Sequence, residues 1–462
     1  MASETVSKSV IWQLTGKFFL QGIAFFTAPV FTRLLSPEDY GYTALYSSWC
    51  SIFTLAIGLM TYGSIQNARM KYERREMDGY LSSVLSISII SFSICLLFGG
   101  VFRNFLSMLF GIRQDIVILV IIQSFFTYVI NFYIGKLDSF KQVEKSTLIS
   151  ISQSVLVVVV SLVAVIHTEG NKAVAKIYSS ALPPILYGLV LIGFIYRKGK
   201  VLWNSSYNKF CLALTLPLLV HGLGGLVFSQ SDRIMLTKLQ GEEMLGIYSV
   251  SYALCNVLVI IKNALNISWV PFYMDYKKQD CDCDILKHSR RYIKLFTCVC
   301  IGFTMLSHDV FKILAPEKYW EGTVILPTLV LAVYFSFLYL FPVNFEFYYC
   351  RTKLIPVVTF MAALINIAVN FALIPNFGLI GAATGTLIAH FFEFLFHWIG
   401  AALIIKEKFE YTFLYFLLGT VSLVGFVIIA VLLKEALWLR WIIATFFGCY
   451  LIMDIVKYKS IF

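Results

Sequence analysis

Residues 32–48 read TRLLSPEDYGYTALYSS, and residues 237–253 read TKLQGEEMLGIYSVSYA. Each is a short polar turn set between long apolar runs. At an offset of 205, Thr32, Leu34, Glu38 and Gly41 fall on Thr237, Leu239, Glu243 and Gly246, and Arg33 falls on Lys238. A chain that writes one turn twice, almost half its length apart, points to an internal duplication. Its geometry depends on how often the chain crosses a membrane between the two turns.

The membrane follows from composition. The 462 residues are 59% hydrophobic and 14% charged, with 41 Phe. Soluble domains carry about 25% charged and about 45–50% apolar residues. So little charge cannot cover a water-soluble core of this size, and a membrane protein is expected. Apolar runs of roughly 20 residues cross about 30 Å of hydrocarbon as helices. Fourteen occur, near 9–32, 42–65, 80–102, 115–135, 147–166, 174–195, 210–231, 244–271, 293–313, 324–345, 354–374, 378–404, 412–433 and 437–456. The start, MASETVSKSVIWQ, has no short apolar segment with a small-residue cleavage site, so the first run reads as a span and not as a removable signal. Ten Cys, mostly in apolar runs, suit packing better than a disulfide framework. The net charge of +11 reads as Lys and Arg gathered in cytoplasmic loops, not as nucleic-acid binding.

Loop charge sets the expected orientation. With the N-terminus in the cytoplasm, 24 Lys and Arg fall on the cytoplasmic side and 11 on the outer side, while Lys17 and Lys262 fall inside spans. An even number of spans brings the C-terminus to the cytoplasm too. The two similar turns follow spans 1 and 7, so both halves cross in the same direction. The expected fold is therefore all-α and polytopic: two parallel six-helix lobes, 1–200 and 201–408, about an axis along the membrane normal, with two further spans in 409–462. A second echo agrees: HTEGNKAVAKIYSS (167–180) joins spans 5 and 6, and IPNFGLIGAATGT (374–386) joins spans 11 and 12. Two facing bundles leave a midplane cleft, and rocking them gives alternating access.

Charges inside spans cost about 2.5–3.5 kcal/mol each at the bilayer centre and call for a reason. Gln13, Lys17 and Gln21 share one face of span 1, and Lys262 precedes Asn266 by one turn in span 8. Each lysine either lines a wet cavity or lays its stem in lipid and snorkels. Asp232 and Arg233 end a polar stripe on span 7, as cavity groups or as an interfacial pair. On span 12, Thr386, His390, Glu393 and His397 fall on one face. A carboxylate between two imidazoles could exchange protons near neutral pH; the alternative is a polar helix–helix seam. DCDCD (280–284) lacks a second ligand pair and reads as a reduced, solvated loop, so no metal is expected. No phosphate-cradling glycine loop, nucleotide cassette or catalytic triad is present in the sequence, so neither a cofactor nor an enzyme is expected.

Three stretches carry a family resemblance: RLLSPEDYGYTALY, SDRIMLTKLQGEEMLGIYSVSYAL and IPNFGLIGAATGTLIA. With them the chain resembles the polysaccharide-transporter branch of the multidrug/oligosaccharidyl-lipid/polysaccharide (MOP) superfamily, and more narrowly a Wzx-type O-antigen or repeat-unit flippase. The resemblance implies a V-shaped pair of lobes plus two C-terminal helices in a bacterial inner membrane. It implies an undecaprenyl-pyrophosphate-linked oligosaccharide as cargo, moved from the cytoplasmic to the periplasmic leaflet and driven by H+ or Na+, and it allows other polysaccharide assembly proteins as partners. Cations such as Lys17, Lys262 and Arg233, with Gln13, Gln21 and Asn266, would meet the cargo. Glu393, His390, His397 and Asp232 would couple the ion. A multidrug/cation antiporter of the same superfamily is the alternative; a membrane O-antigen polymerase or ligase would need a large outer loop.

Overall fold

The computed structural model describes residues 2–458; the side chains of residues 2–11, 13–15, 17, 18, 24 and 458 lie outside that description. Among the described residues every regular element is a helix. Eleven of these helices are long and apolar enough to cross a membrane, and twelve if a bent pair counts as one span. Hydrocarbon offers no partner to backbone N–H and C=O groups, so helices, which pair their own, are the expected solution. By contacts the chain forms two compact units, Met1–Gly246 and Ile247–Phe462.

The first unit opens with α1 (Ala2–Leu34) and α2 (Pro37–Gly58). The Ser-Pro-Glu-Asp of the opening stretch is a helix start. Asp39 N–H donates to Ser36 Oγ at 3.0 Å, Ser36 N–H donates to Asp39 Oδ2 at 3.3 Å, and Pro37 sits at the first helical position. Helix α2 stops where Leu59 and Met60 both take left-handed backbone angles (φ 48° and 52°), and the chain bends by 47° into a 3-10 turn and α3 (Ile65–Lys71). Buried hydroxyls hold this bend: Thr61 donates to Gly58 O and pairs with Tyr128, and Tyr80 donates to Ser64. There follow α4 (Met77–Val101), the short α5 (Arg103–Phe110), α6 (Gln114–Ser139), α7 (Val143–His167), α8 (Lys172–Gly199) and α9 (Ser205–Gln240). The unit's core lies where α4 and α6 meet, around Tyr80, Val84, Leu85, Val129 and Phe132. The foot of α9 joins it: Ser83 Oγ donates to Asn208 Oδ1 at 3.0 Å, and Ser64 Oγ to Cys211 Sγ at 3.3 Å.

The two quoted turns meet in this unit. Helix α10 (Glu242–Lys278) starts there after Gly241 alone. A Cβ on Gly41 would lie 1.8 Å from the Glu242 carbonyl oxygen, and one on Gly246 would lie 1.9 Å from the Pro37 carbonyl oxygen. Pro37 and Glu242 are themselves 205 positions apart, so the contact is reciprocal at the offset seen in the sequence. Glu38, Asp39 and Glu242 crowd this crossing. Glu242, in the polar turn ahead of the apolar run that begins at Met244, has its carboxyl raised to about 7 by burial and by the charges of Glu38 and Asp39.

The second unit contains the rest of α10, then α11 (Asp282–Leu314), a 3-10 segment, α12 (Leu326–Leu338), α13 (Leu340–Tyr348), α14 (Leu354–Ile399) with a π-helical turn (Gly400–Ile404), α15 (Phe413–Leu432) and α16 (Leu437–Tyr458). Helix α14 is a hairpin. Gly378 (φ 49°, ψ −119°) breaks it, Gly381 then passes Leu373, and Gly385 passes Asn370. A Cβ on Gly385 would lie 2.0 Å from Asn370 Oδ1. The glycines of IPNFGLIGAATG thus supply one turn and two close approaches. Helix α16 runs antiparallel to α11, tied at one end by Arg291 to Asp454 (2.8 Å) and at the other by Arg440 to Asp309 (2.7 Å). Its far face exposes Trp438, Ile442, Phe446 and Ile452, as a lipid-facing helix would.

Gly385→Val is expected to cost about 3 kcal/mol or more by driving the hairpin legs apart, whereas Gly425→Ala, with no neighbouring atom within 4 Å of its new methyl, should stay within about 1 kcal/mol of the parent; thermal melting in detergent separates the two. Because Glu242 titrates from an ordinary 4.5 up to about 7, the folded state binds its proton more tightly than the unfolded state. Stability should therefore fall as pH rises between those values, and Glu242→Gln should flatten that part of the melting-temperature profile.

Candidate functional site

Inside a membrane-spanning bundle a polar side chain needs a partner. The second unit gathers several such groups along α10, α12, α13 and the second leg of α14. Lys262 Nζ donates to Ser336 Oγ at 3.1 Å, and that hydroxyl donates to Val333 O at 2.7 Å. The half-buried amine thus points into the helical packing, within electrostatic reach of Glu393. One turn on, Asn266 Oδ1 accepts from Asn344 Nδ2 at 3.2 Å, tying α10 to α13. Tyr248 and Thr386 share a hydrogen bond of 3.2 Å.

The face expected on span 12 divides into two pairs. His390 Nδ1 lies 2.9 Å from Glu393 Oε2, at partial exposure. His397 does not flank Glu393 from the other side; its Nδ1 lies 2.9 Å from Glu346 Oε1 on α13, and both of those side chains are 0% exposed. The ring of Tyr339 lies 5.8 Å from that of His397. Sequence reading missed Glu346 because it falls one residue past the expected end of span 10 at 345. The signal was there: NFEFYY sets one carboxylate among four aromatic rings.

The other expected site residues fall elsewhere. Gln21 is exposed on α1, and the side chains of Gln13 and Lys17 lie outside the described residues. Asp232 is buried and Arg233 half-buried on α9, in the first unit. Within DCDCD, Asp282 pairs with Lys408 at 2.7 Å and Lys277 at 3.4 Å; Lys277 in turn meets buried Glu410 at 2.9 Å. That stretch therefore pins the 405–412 connection ahead of α15, and among the described residues no group of three or more His, Cys, Asp and Glu is placed to hold a metal ion.

The family described as polysaccharide biosynthesis protein matches residues 6–277, more than half the chain. The chain belongs to that family. A Haemophilus influenzae protein of the Lsg locus is 23% identical over 404 residues, spanning 84% of this chain and 97% of its own. Among solved structures, the lipid II flippase MurJ in an inward closed conformation aligns with a TM-score of 0.73 at 13% identity, over 97% of this chain and 99% of its own. An inward-facing multidrug resistance MATE transporter of the MOP superfamily aligns at 0.60 and 14% identity, over 88% and 94%. At such identities these likenesses show the fold. This member of the polysaccharide biosynthesis family is an all-helical, multi-pass membrane protein with the MOP fold, as the resemblance of its turns and hairpin implied.

Truncation of the deepest pair should show its weight. Glu346→Ala leaves a buried imidazole unpartnered and is expected to cost about 3 kcal/mol. Asn344→Ala removes one neutral hydrogen bond and should cost about 1 kcal/mol. Melting of both variants in one detergent gives the comparison.

Proposed function

We propose that this protein is a flippase for a lipid-linked oligosaccharide, an undecaprenyl-pyrophosphate-linked O-antigen or similar repeat unit. The observation that carries the reading is the polysaccharide biosynthesis family match over residues 6–277. The cargo moves from the cytoplasmic to the periplasmic leaflet of a bacterial inner membrane by alternating access between two parallel lobes, 1–200 and 201–408. The chain crosses the membrane fourteen times with both termini in the cytoplasm. That count takes the α14 hairpin as two crossings and α1 as one. The reciprocal contact of Gly41 and Gly246 supports the parallel repeat, because an axis relating the halves must pass where equivalent residues meet.

Lys17 and Lys262 receive the pyrophosphate, with Arg233, Gln13, Gln21 and Asn266 lining the path. An ammonium turned into the helical packing, as at Lys262, supports this better than it supports a snorkelling anchor. An H+ or Na+ gradient supplies the drive, through Glu393, His390, His397 and Asp232. A polymerase or ligase is disfavoured, since the longest non-helical connection among the described residues is 405–412.

The test is flipping in proteoliposomes of a fluorescent undecaprenyl-pyrophosphate disaccharide. The parent protein should expose it across the bilayer, and Lys262→Ala and Lys17→Ala should each slow flipping by about tenfold or more, as loss of a charged contact worth at least 1.4 kcal/mol would. Unchanged rates in either variant remove that lysine from the path. Extrusion of cationic dyes without flipping would replace the reading with the antiporter.

A further inference from the structure

Among the coupling residues named so far, His397 stands apart from the His390–Glu393 pair: neither its side chain nor that of its partner Glu346 reaches solvent. Each spends one atom on the other, Oε1 with Nδ1 at 2.9 Å, while Glu346 Oε2 and His397 Nε2 make no hydrogen bond with the protein. A carboxylate beside a neutral imidazole carries one net negative charge. Burying it costs several kcal/mol unless a cation or a proton offsets it.

The surrounding elements offer no free cation among the described residues. On α10, Lys262 is bonded to Ser336 and faces Glu393, which His390 holds on α14. Lys277 lies 5.4 Å from the ring of Phe345, yet its ammonium is bound to Glu410 and Asp282. From α12 and its junction with α13 comes the Tyr339 ring, and from α10 and α13 the Asn266–Asn344 amides. Beyond α13, Arg351 donates only its backbone N–H to the Glu346 carbonyl, at 2.8 Å, and Tyr349 lies close to Lys277. One proton shared between Glu346 and His397 neutralises the pair without any of these groups.

The backbone beside the pair is also irregular. A π-helical turn, Gly400–Ile404, begins three residues after His397, and a Cβ on Gly400 would sit 3.4 Å from Glu346 Oε1. Such turns insert one extra residue into a helix and recur at functional sites. Glu346 lies on the nine-residue α13, which continues α12 through Tyr339 and ends at Tyr349. The pair therefore bridges α13 and the second leg of α14.

We propose that Glu346 and His397 form a proton-binding site: the pair holds one exchangeable proton while α13 and α14 are packed together, and releases it when water enters. In balance, the proton leaves for water, and carboxylate and neutral imidazole remain; no other bond changes. A hard metal cation would seek several oxygen ligands, and the pair supplies one carboxylate and an imidazole. The proposal deepens the ion-coupled reading above by naming the ion and the carboxyl that bears it.

The test is infrared difference spectroscopy of the full chain in liposomes, taken across a pH titration without cargo. A pH-dependent carboxyl or imidazolium signal is expected in the parent and in Glu393→Gln, and its loss is expected in Glu346→Gln. A parent without that signal, or a Glu346→Gln spectrum that keeps it, overturns the site. Should Glu346→Gln fail to fold, His397→Gln takes its place: the carboxyl signal must then move to a different pH, and an unmoved signal overturns the site equally. Since no cargo is present, a failure here leaves the flippase reading standing, and a failure of flipping leaves the proton site standing.

Discussion

Backbone meets backbone where α2 passes the start of α10. Only glycine permits that approach: a methyl group on Gly41 or Gly246 would overlap a carbonyl oxygen of the facing turn. The turn before each glycine is consequently polar and tight, with Ser36 capping α2 and Gly241 alone separating α9 from α10. The acidic groups that make these turns soluble also crowd one another there. Glu242 keeps its proton to higher pH because burial penalises its charge and because Glu38 and Asp39 lie close by. Close approach and charge crowding thus act at one place with opposite signs, so the contact depends on protonation as well as on shape.

Hydrocarbon imposes a second constraint, and each unit meets it by pairing the polar groups at its bends and seams. In the first unit, hydroxyls and amides close the bend after α2: Thr61, Ser64, Tyr80 and Tyr128 pair with each other or with backbone. In the second unit, ionisable groups carry much of the pairing, from Lys262 through Glu393 to Glu346 and His397. Neutral networks hold one arrangement over a wide range of conditions. Ionisable ones change with proton occupancy.

The last two helices are held differently again. Ion pairs at both ends of α11 fix α16 against it, and the Lys277–Glu410 pair fixes the connection leading into α15. Between those ties lie an apolar cluster of Met305 with Ala444 of α16 and Ala430 of α15, and the Lys294 ammonium 4.6 Å over the Tyr450 ring. End pairing sets register along the helices, which a greasy surface surrounded by equally greasy lipid does poorly.

Composition and span length alone established a polytopic helical membrane protein, because apolar stretches that must bury their backbone in lipid have no other economical shape. The duplicated turn was legible as well, and IPNFGLIGAATGT was legible as the link between spans 11 and 12; the close approaches of Gly381 and Gly385 appear only in the structure. Nor were the partners of the charged groups legible. Thr386, His390, Glu393 and His397 do follow helical spacing, yet that spacing cannot say which neighbouring helix faces each of them. It suggested one carboxylate between two imidazoles, while packing made two pairs and recruited Glu346 from beyond an expected boundary. Periodicity is a property of one helix; a hydrogen bond across a seam is a property of two, and only the tertiary structure brings them together.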